Sequence, residues 1–153
     1  MTFTLTYSTM FDPPAEMHSR FEAALAELRS GLGASHAMHV DGAEVVGAQS
    51  APSRSPVDRR VVLGHFPVGN AADVDRAMAA AKRAFPGWRA TPHAERLRLV
   101  RRAAALIEER VYRIGAALAL EVGKNRMESL GETQETADFF TGYAAEFERN
   151  GGY

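Results

Sequence analysis

Apolar residues recur along this chain at spacings of three and four, the signature of one-sided helices. Met17, Phe21, Leu25 and Leu28 form the first stripe, with Asp12-Pro13 before it and Gly31 and Gly33 after it. An acidic cap, a proline at the first helical position and terminal glycines predict a helix over 13–30. Val74, Met78, Ala81 and Phe85 form a second stripe behind Asn70 and Asp73, which are spaced as a variant capping box. Phe85-Pro86-Gly87-Trp88 is expected to close that helix, because proline cannot continue it and glycine leaves it. Thr91-Pro92 opens a third, carrying Leu97, Val100, Ala104 and Ile107, with Arg98, Arg101 and Arg102 on its other face. Val111, Ile114, Leu118 and Val122 then run to Gly123, as a separate helix after a shallow joint near Arg110. A last helix is expected over about 125–148, ahead of Asn150-Gly151-Gly152-Tyr153.

Strand patterns are confined to the first half. Met38-His39-Val40 and Ala43-Glu44-Val45-Val46 flank Asp41-Gly42, a dipeptide that tolerates the positive φ angles of a tight primed turn, so a hairpin is expected. Residues 47–56, rich in Ser, Ala, Gly and Pro, read as a surface connection. Val61-Val62-Leu63-Gly64-His65-Phe66 is a third strand, ended by Pro67 and Gly69. The fold class is therefore α+β and predominantly helical, with about five helices and three short strands. That order argues against a complete alternating strand–helix sheet.

Composition narrows the function. A length of 153 residues is one domain's worth, and 46% hydrophobic with 24% charged residues is ordinary for a globular chain. Eighteen Lys and Arg against nineteen Asp and Glu give a formal charge of −1, which disfavours nucleic acid as a partner. The apolar run from Ile114 to Leu120 is far short of the roughly 20 residues that cross a bilayer, so no membrane segment is expected. Met1–Met10 lacks the cationic start and apolar centre of a signal peptide, and a cytoplasmic protein is the simplest expectation. Cysteine is absent, which excludes disulfides, thiolate metal sites and a cysteine nucleophile carried on this chain.

The short motifs are mostly structural. Gly31-Leu32-Gly33 follows a helix rather than a strand and has His36 where a dinucleotide loop needs glycine, so it reads as a helix stop. His36 and His39 are spaced to point to opposite faces of a strand, and no metal site is expected. Arg96, Arg98, Arg101 and Arg102 alternate with Glu95, Glu108 and Glu109, the pattern of a solvated, ion-paired helix face. The serines lack a nucleophile elbow. Glu128, Glu132 and Glu135 lie at i, i+4 and i+7, with Phe139 next along the same face. Spacing alone favours a solvated acidic face near a helix start over a cation-holding site.

Longer segments carry a resemblance. Val61 to Pro67, Gly69 through Ala81, Ala84-Phe85-Pro86-Gly87-Trp88-Arg89, Thr91-Pro92, Glu95-Arg96, Leu106 through Arg110 and Glu121-Val122-Gly123-Lys124 resemble the N-terminal region of the aldehyde dehydrogenase superfamily. Asn125-Arg126-Met127-Glu128, Glu132 through Phe140 and the helix after Phe11-Asp12-Pro13 are similar to the Δ1-pyrroline-5-carboxylate (L-glutamate γ-semialdehyde) dehydrogenases of proline catabolism. The aminoadipate-semialdehyde enzymes are close relatives. The resemblance implies an arm over 1–56, with helix, hairpin and linker. Over 57–153 it implies a strand and helical layer of a truncated NAD-binding domain.

It also implies chemistry. Family members oxidise an aldehyde on a cysteine, pass hydride to NAD and release the product with a glutamate-activated water. The cysteine, the general-base glutamate, the oxyanion donor and the glycine-rich NAD turn all lie downstream in the family, so this chain alone is expected to be inactive, without a catalytic residue and without bound NAD. Glu135 matches the family glutamate that contacts the α-ammonium of an amino-acid semialdehyde. Expected partners are the downstream polypeptide or further copies of the chain, because stripes such as Leu97, Val100, Ile107, Ile114 and Leu118 would otherwise be uncovered. The alternative is a free-standing helical interaction module derived from the same fold.

Overall fold

In a computed structural model, residues 12–152 are described. The opening segment 1–10, read above for a leader, and Tyr153 lie outside them. The elements run α1 (Ala15–Ser30), β1 (Ala34–Ser35), β2 (Met38–Val40), β3 (Ala43–Val45), β4 (Ser50–Arg54), β5 (Val62–Pro67), α2 (Ala71–Ala90), α3 (His93–Glu109), α4 (Val111–Val122) and α5 (Arg126–Arg149). The class is the expected one. The five helices are present, and two short strands, β1 and β4, join the three read from sequence. The elements gather into two units, one of α1 with α3, α4 and α5, the other spanning Leu32–Pro92.

In the helical unit, α1 begins later than its signals suggest. Pro14, not Asp12, is the N-cap, and no side chain caps this helix. Pro13 precedes another proline, which drives its backbone out of the helical region, so winding starts only after Pro14. From there Met17, Phe21 and Ala24 are buried and form one core with Ala116 of α4 and Leu130 of α5. Gly115 is buried against Leu130: a Cβ at this position would stand 2.8 Å from Leu130 Cδ2. The absence of a side chain is what lets α4 approach α5 so closely. Polar contacts fasten the rim of this core. The Arg126 guanidinium lies 4.7 Å from the centre of the Phe21 ring, donates to His18 Nδ1 at 2.7 Å, and pairs with Glu22.

The joint at Arg110 (φ −108°, ψ 16°) and the left-handed Gly123 (φ 82°) bound α4 where the sequence placed them. Leu97, Val100, Ile107, Ile114 and Leu118 are half-buried in the packing of α3 and α4 with α5, rather than left bare. The exposed apolar side chains of this unit are others: Leu99, Val122, Phe139, Phe140 and Tyr143.

In the second unit the sheet order is β1-β5-β4, with β1 parallel and β4 antiparallel to β5. Residues 47–56, expected to be a plain connection, thus contain a strand. Ser-Ala-Pro-Ser-Arg has little intrinsic strand preference, and its pairing to β5 overrides that. The bond from Val68 N–H to the Gln49 carbonyl (2.9 Å) fixes the alternation along β4. It turns the backbone of Ser50 and Pro52 to the outer edge, where Pro52 has no N–H to offer. The hairpin β2–β3 pairs Val40 with Ala43 around Asp41 (φ 57°) and Gly42 (φ 76°), the two positive angles of a type I′ turn.

The N-terminus of α2 carries the expected capping box. The Asn70 side chain accepts from the N–H groups of Ala72 (2.9 Å) and Asp73 (3.2 Å), while the Asp73 carboxylate accepts from Asn70 N–H at 2.9 Å. Pro86 does not end this helix, contrary to the expectation from Phe85-Pro86-Gly87-Trp88. Proline removes one donor, and the turn beyond it closes again through Thr91, whose N–H and hydroxyl both reach the Gly87 carbonyl (3.1 and 2.9 Å). Pro92 then holds Thr91 extended, and the helix stops there.

The buried Asp73 carboxyl is held below the usual carboxylate range, chiefly by the Asn70 N–H and further by Arg76. A depressed value means that its contribution is present above the ordinary carboxyl range and is lost as pH falls through the folded value. Thermal melting between pH 7 and pH 3 is expected to show this loss, and Asp73→Asn to have a flatter profile. Equal profiles would remove the cap from the account.

Candidate functional site

The site is built on α5. Asn125 caps it: its side-chain oxygen accepts from Glu128 N–H at 3.0 Å, and the Glu128 carboxylate returns to Asn125 N–H at 3.3 Å. One face of the helix is anchored, since Ser129, Leu130, Thr133, Ala137 and Ala144 are buried and the Thr133 hydroxyl donates to the Ser129 carbonyl at 2.8 Å. This anchoring leaves the acidic face on the solvent side and fixes its direction.

The three carboxylates of that face have different circumstances. Glu128 is engaged in the capping box and Glu132 pairs with Lys124. Both keep the structural role that spacing suggested. Glu135 is exposed and makes no hydrogen bond or ion pair among the described residues. One turn further on stands Phe139, stacked on Tyr143 with centroids 5.8 Å apart and an interplanar angle of 14°. Thr136, Phe139, Phe140 and Tyr143, with Val100 of α3, line an open recess of about 470 Å³. An unpaired carboxylate on the rim of an aromatic wall can hold a cation that also presents hydrocarbon, such as a primary ammonium on an aliphatic chain. Tyr143 follows Phe139 by four positions on the same helix, so periodicity extends the row to it, whereas the recess also needs Val100 of α3, which a stripe along one helix does not show.

The other candidate groups resolve as structure. Arg98 binds Glu95 through two bonds (2.9 and 2.6 Å) and Arg101 binds Glu148 likewise (2.7 and 2.6 Å). These partners hold both carboxyls below the usual range. His36 stacks on Phe66, His93 meets the edge of Phe147, and His18 faces Arg126, so the histidines are dispersed. Among the described residues no three His, Asp or Glu side chains are grouped to hold a metal ion. None of their helices is long and apolar enough to cross a membrane.

A dinucleotide phosphate needs free N–H groups at a helix start behind a strand. The turn from β5 into α2 is the arrangement of that kind among the described residues, and it does not fit. The N–H groups of Ala72 and Asp73 are taken by the Asn70 side chain, and the Asp73 carboxylate adds charge of the wrong sign. Gly31 ends α1, its N–H on the Leu28 carbonyl at 3.0 Å, and Gly33 (φ 82°) leads into β1.

Comparison with known proteins bears on this helix. The sequence pattern of the aldehyde dehydrogenase family matches residues 45–153. The chain is 32% identical over 124 residues to 1-pyrroline-5-carboxylate dehydrogenase 2 of Bacillus subtilis, covering 81% of this chain and 24% of that protein. It is 41% identical over 102 residues to N-succinylglutamate 5-semialdehyde dehydrogenase of Burkholderia lata, covering 65% of this chain and 20% of that protein. The solved 1-pyrroline-5-carboxylate dehydrogenase from Thermus with bound NAD superimposes on 97% of this chain with a TM-score of 0.88 at 28% identity, using 28% of its own length. The chain therefore spans about a quarter of the length of the curated relatives it matches.

Proposed function

We propose, from the premise that this chain belongs to the aldehyde dehydrogenase family, that it supplies the substrate-amine side of an NAD-dependent oxidation of L-glutamate γ-semialdehyde. The observation that carries this reading is Glu135: of three carboxylates on one face of α5, it alone is neither a cap nor an ion-pair partner. A free carboxylate there can accept a charge-assisted bond from the α-ammonium of the substrate, which selects an amino-acid aldehyde over a plain one. The names of the relatives support the substrate class, and the Thermus structure supports NAD as the oxidant.

The remaining chemistry falls outside these 153 residues. There is no cysteine here to attack the aldehyde carbon, and the capping boxes of α2 and α5 occupy N–H groups that a dinucleotide phosphate would use. When bound, NAD would supply the hydride acceptor for oxidation of the aldehyde to the carboxylate, with water as the source of the second oxygen. The share of this chain is to orient the substrate by its amine. Activity then requires the other three quarters of the family's length, either in the same polypeptide or as a separate one.

A second reading has its own support in the 41% identity to the N-succinylglutamate enzyme. In that substrate the amine is acylated and carries no charge, so Glu135 would lose its cation. Joining this chain to the downstream part of the Bacillus relative and following NADH separates the two. Turnover of glutamate semialdehyde in preference to its N-succinyl derivative is expected. The reverse preference would establish the second reading, and no turnover of either would overturn the first.

A further inference from the structure

Beyond that function, we infer that Asn150 is a modification site: its side chain closes on the nitrogen of Gly151 to a succinimide, ammonia is lost, and the product unfastens the last turn of α5. The chain has three asparagines, Asn70, Asn125 and Asn150, and each stands at a helix end. Asn70 and Asn125 are N-caps whose side-chain oxygens are held by N–H groups of the first turn, and Ala71 and Arg126 follow them into the helix. Asn150 is instead the exposed C-cap of α5, and glycine follows it. Gly151 has φ 66°, and beyond its own chain neighbours nothing among the described residues stands within 4 Å of the place of its absent Cβ. No side chain shields the attacking nitrogen.

The folded turn holds both reacting groups and so sets the rate. Asn150 Nδ2 donates to the Glu146 carbonyl at 2.8 Å, and Gly151 N–H donates to the Glu148 carbonyl at 3.0 Å. Ring closure needs both bonds open, and the terminal turn of a solvated helix is where opening costs least. The Gly151 nitrogen then bonds to Cγ, the Cγ–Nδ2 bond breaks, and the amide proton leaves with the ammonia. Water opens the ring at either carbonyl, giving aspartate or its β-linked isomer, which has one more methylene in the main chain. Either product exchanges the donor to the Glu146 carbonyl for a carboxylate, in the same turn as Glu146 and Glu148 and at the negative end of the helix dipole. That turn also carries Gly152, whose N–H donates to the Phe147 carbonyl at 2.9 Å, and Glu148, which binds Arg101 of α3.

Incubation of the 153-residue chain at physiological temperature and mildly alkaline pH, with peptide mapping over successive days, tests this. Aspartate and its β-linked isomer are expected at position 150 at least about tenfold faster than any change at Asn70 or Asn125, because only Asn150 precedes a glycine. Asn150→Gln, whose ring closure would need one more atom, is expected to stay unmodified. Unfolding in urea is expected to speed the reaction on the order of tenfold, the factor that the folded turn supplies. Asn150→Asp installs the charge directly, and hydrogen exchange of the amides of 150–152 is expected to quicken about five- to tenfold while the first turn of α5 is unchanged. A native chain that keeps Asn150 intact while the unfolded chain reacts overturns the inference. So does equal reaction at all three asparagines, and unaltered exchange in Asn150→Asp overturns the effect on the turn. None of these readouts depends on turnover, so the proposed reaction stands or falls separately.

Discussion

Phe21→Ala is expected to destabilise the chain by about 3–5 kcal/mol, the usual cost of deleting a buried aromatic ring. Phe21 is 3% exposed and sits at the centre of the one core shared by α1, α4 and α5. Its ring is also the surface on which the Arg126 guanidinium rests, so truncation removes apolar burial and a cation–π contact together. Against a typical domain stability of about 5–15 kcal/mol, that loss is expected to release α1 altogether near physiological temperature. Phe21→Leu, which keeps most of the volume, is expected to cost under about 1.5 kcal/mol. Urea unfolding of the three proteins gives the comparison. A shift for Phe21→Ala no larger than for Phe21→Leu would mean that α1 is not docked where the structure places it.

The second large effect is on selectivity. In the enzyme completed with downstream polypeptide, Glu135→Gln is expected to lower kcat/KM for glutamate semialdehyde by about 10–100-fold, the equivalent of one charge-assisted hydrogen bond. An aldehyde of similar length without an amine is expected to be unaffected. Glu132→Gln, which breaks only the pair with Lys124, is the control, and little change in either substrate is expected. Stability of the Glu135→Gln chain is expected to stay within about 0.5 kcal/mol, since an exposed side chain with no hydrogen bond or ion pair among the described residues is exchanged for its isostere. Equal losses on both aldehydes would remove the amine contact from the account.

Much of this architecture is legible in the sequence because its determinants are local. Asn70 with Asp73 caps α2, Asp41-Gly42 turns the hairpin and Gly123 ends α4, each through contacts between near neighbours along the chain. What escapes is decided at a distance or by competing local rules. Strand β4 exists because β5 pairs with it, and nothing in Ser-Ala-Pro-Ser-Arg announces that partner. Pro86 is a helix breaker by rule, yet one lost donor is outweighed by the turn that Thr91 closes behind it. Asp12 has the chemistry of a cap but is separated from the helix by two prolines that delay it.

The candidate site divides in the same way. That Glu128, Glu132 and Glu135 share a face follows from periodicity. Which of them is free does not, because Lys124 reaches Glu132 across the bend between α4 and α5. The aromatic recess needs Val100 from another helix, a juxtaposition that only tertiary packing supplies.

Pro52 has a further consequence. A sheet grows when a newcomer finds an unbroken row of donors and acceptors at its margin, and here that row is interrupted midway by a ring nitrogen that carries no hydrogen. Stacking of molecules strand upon strand through this border is thereby discouraged, and with it fibrous growth from β4.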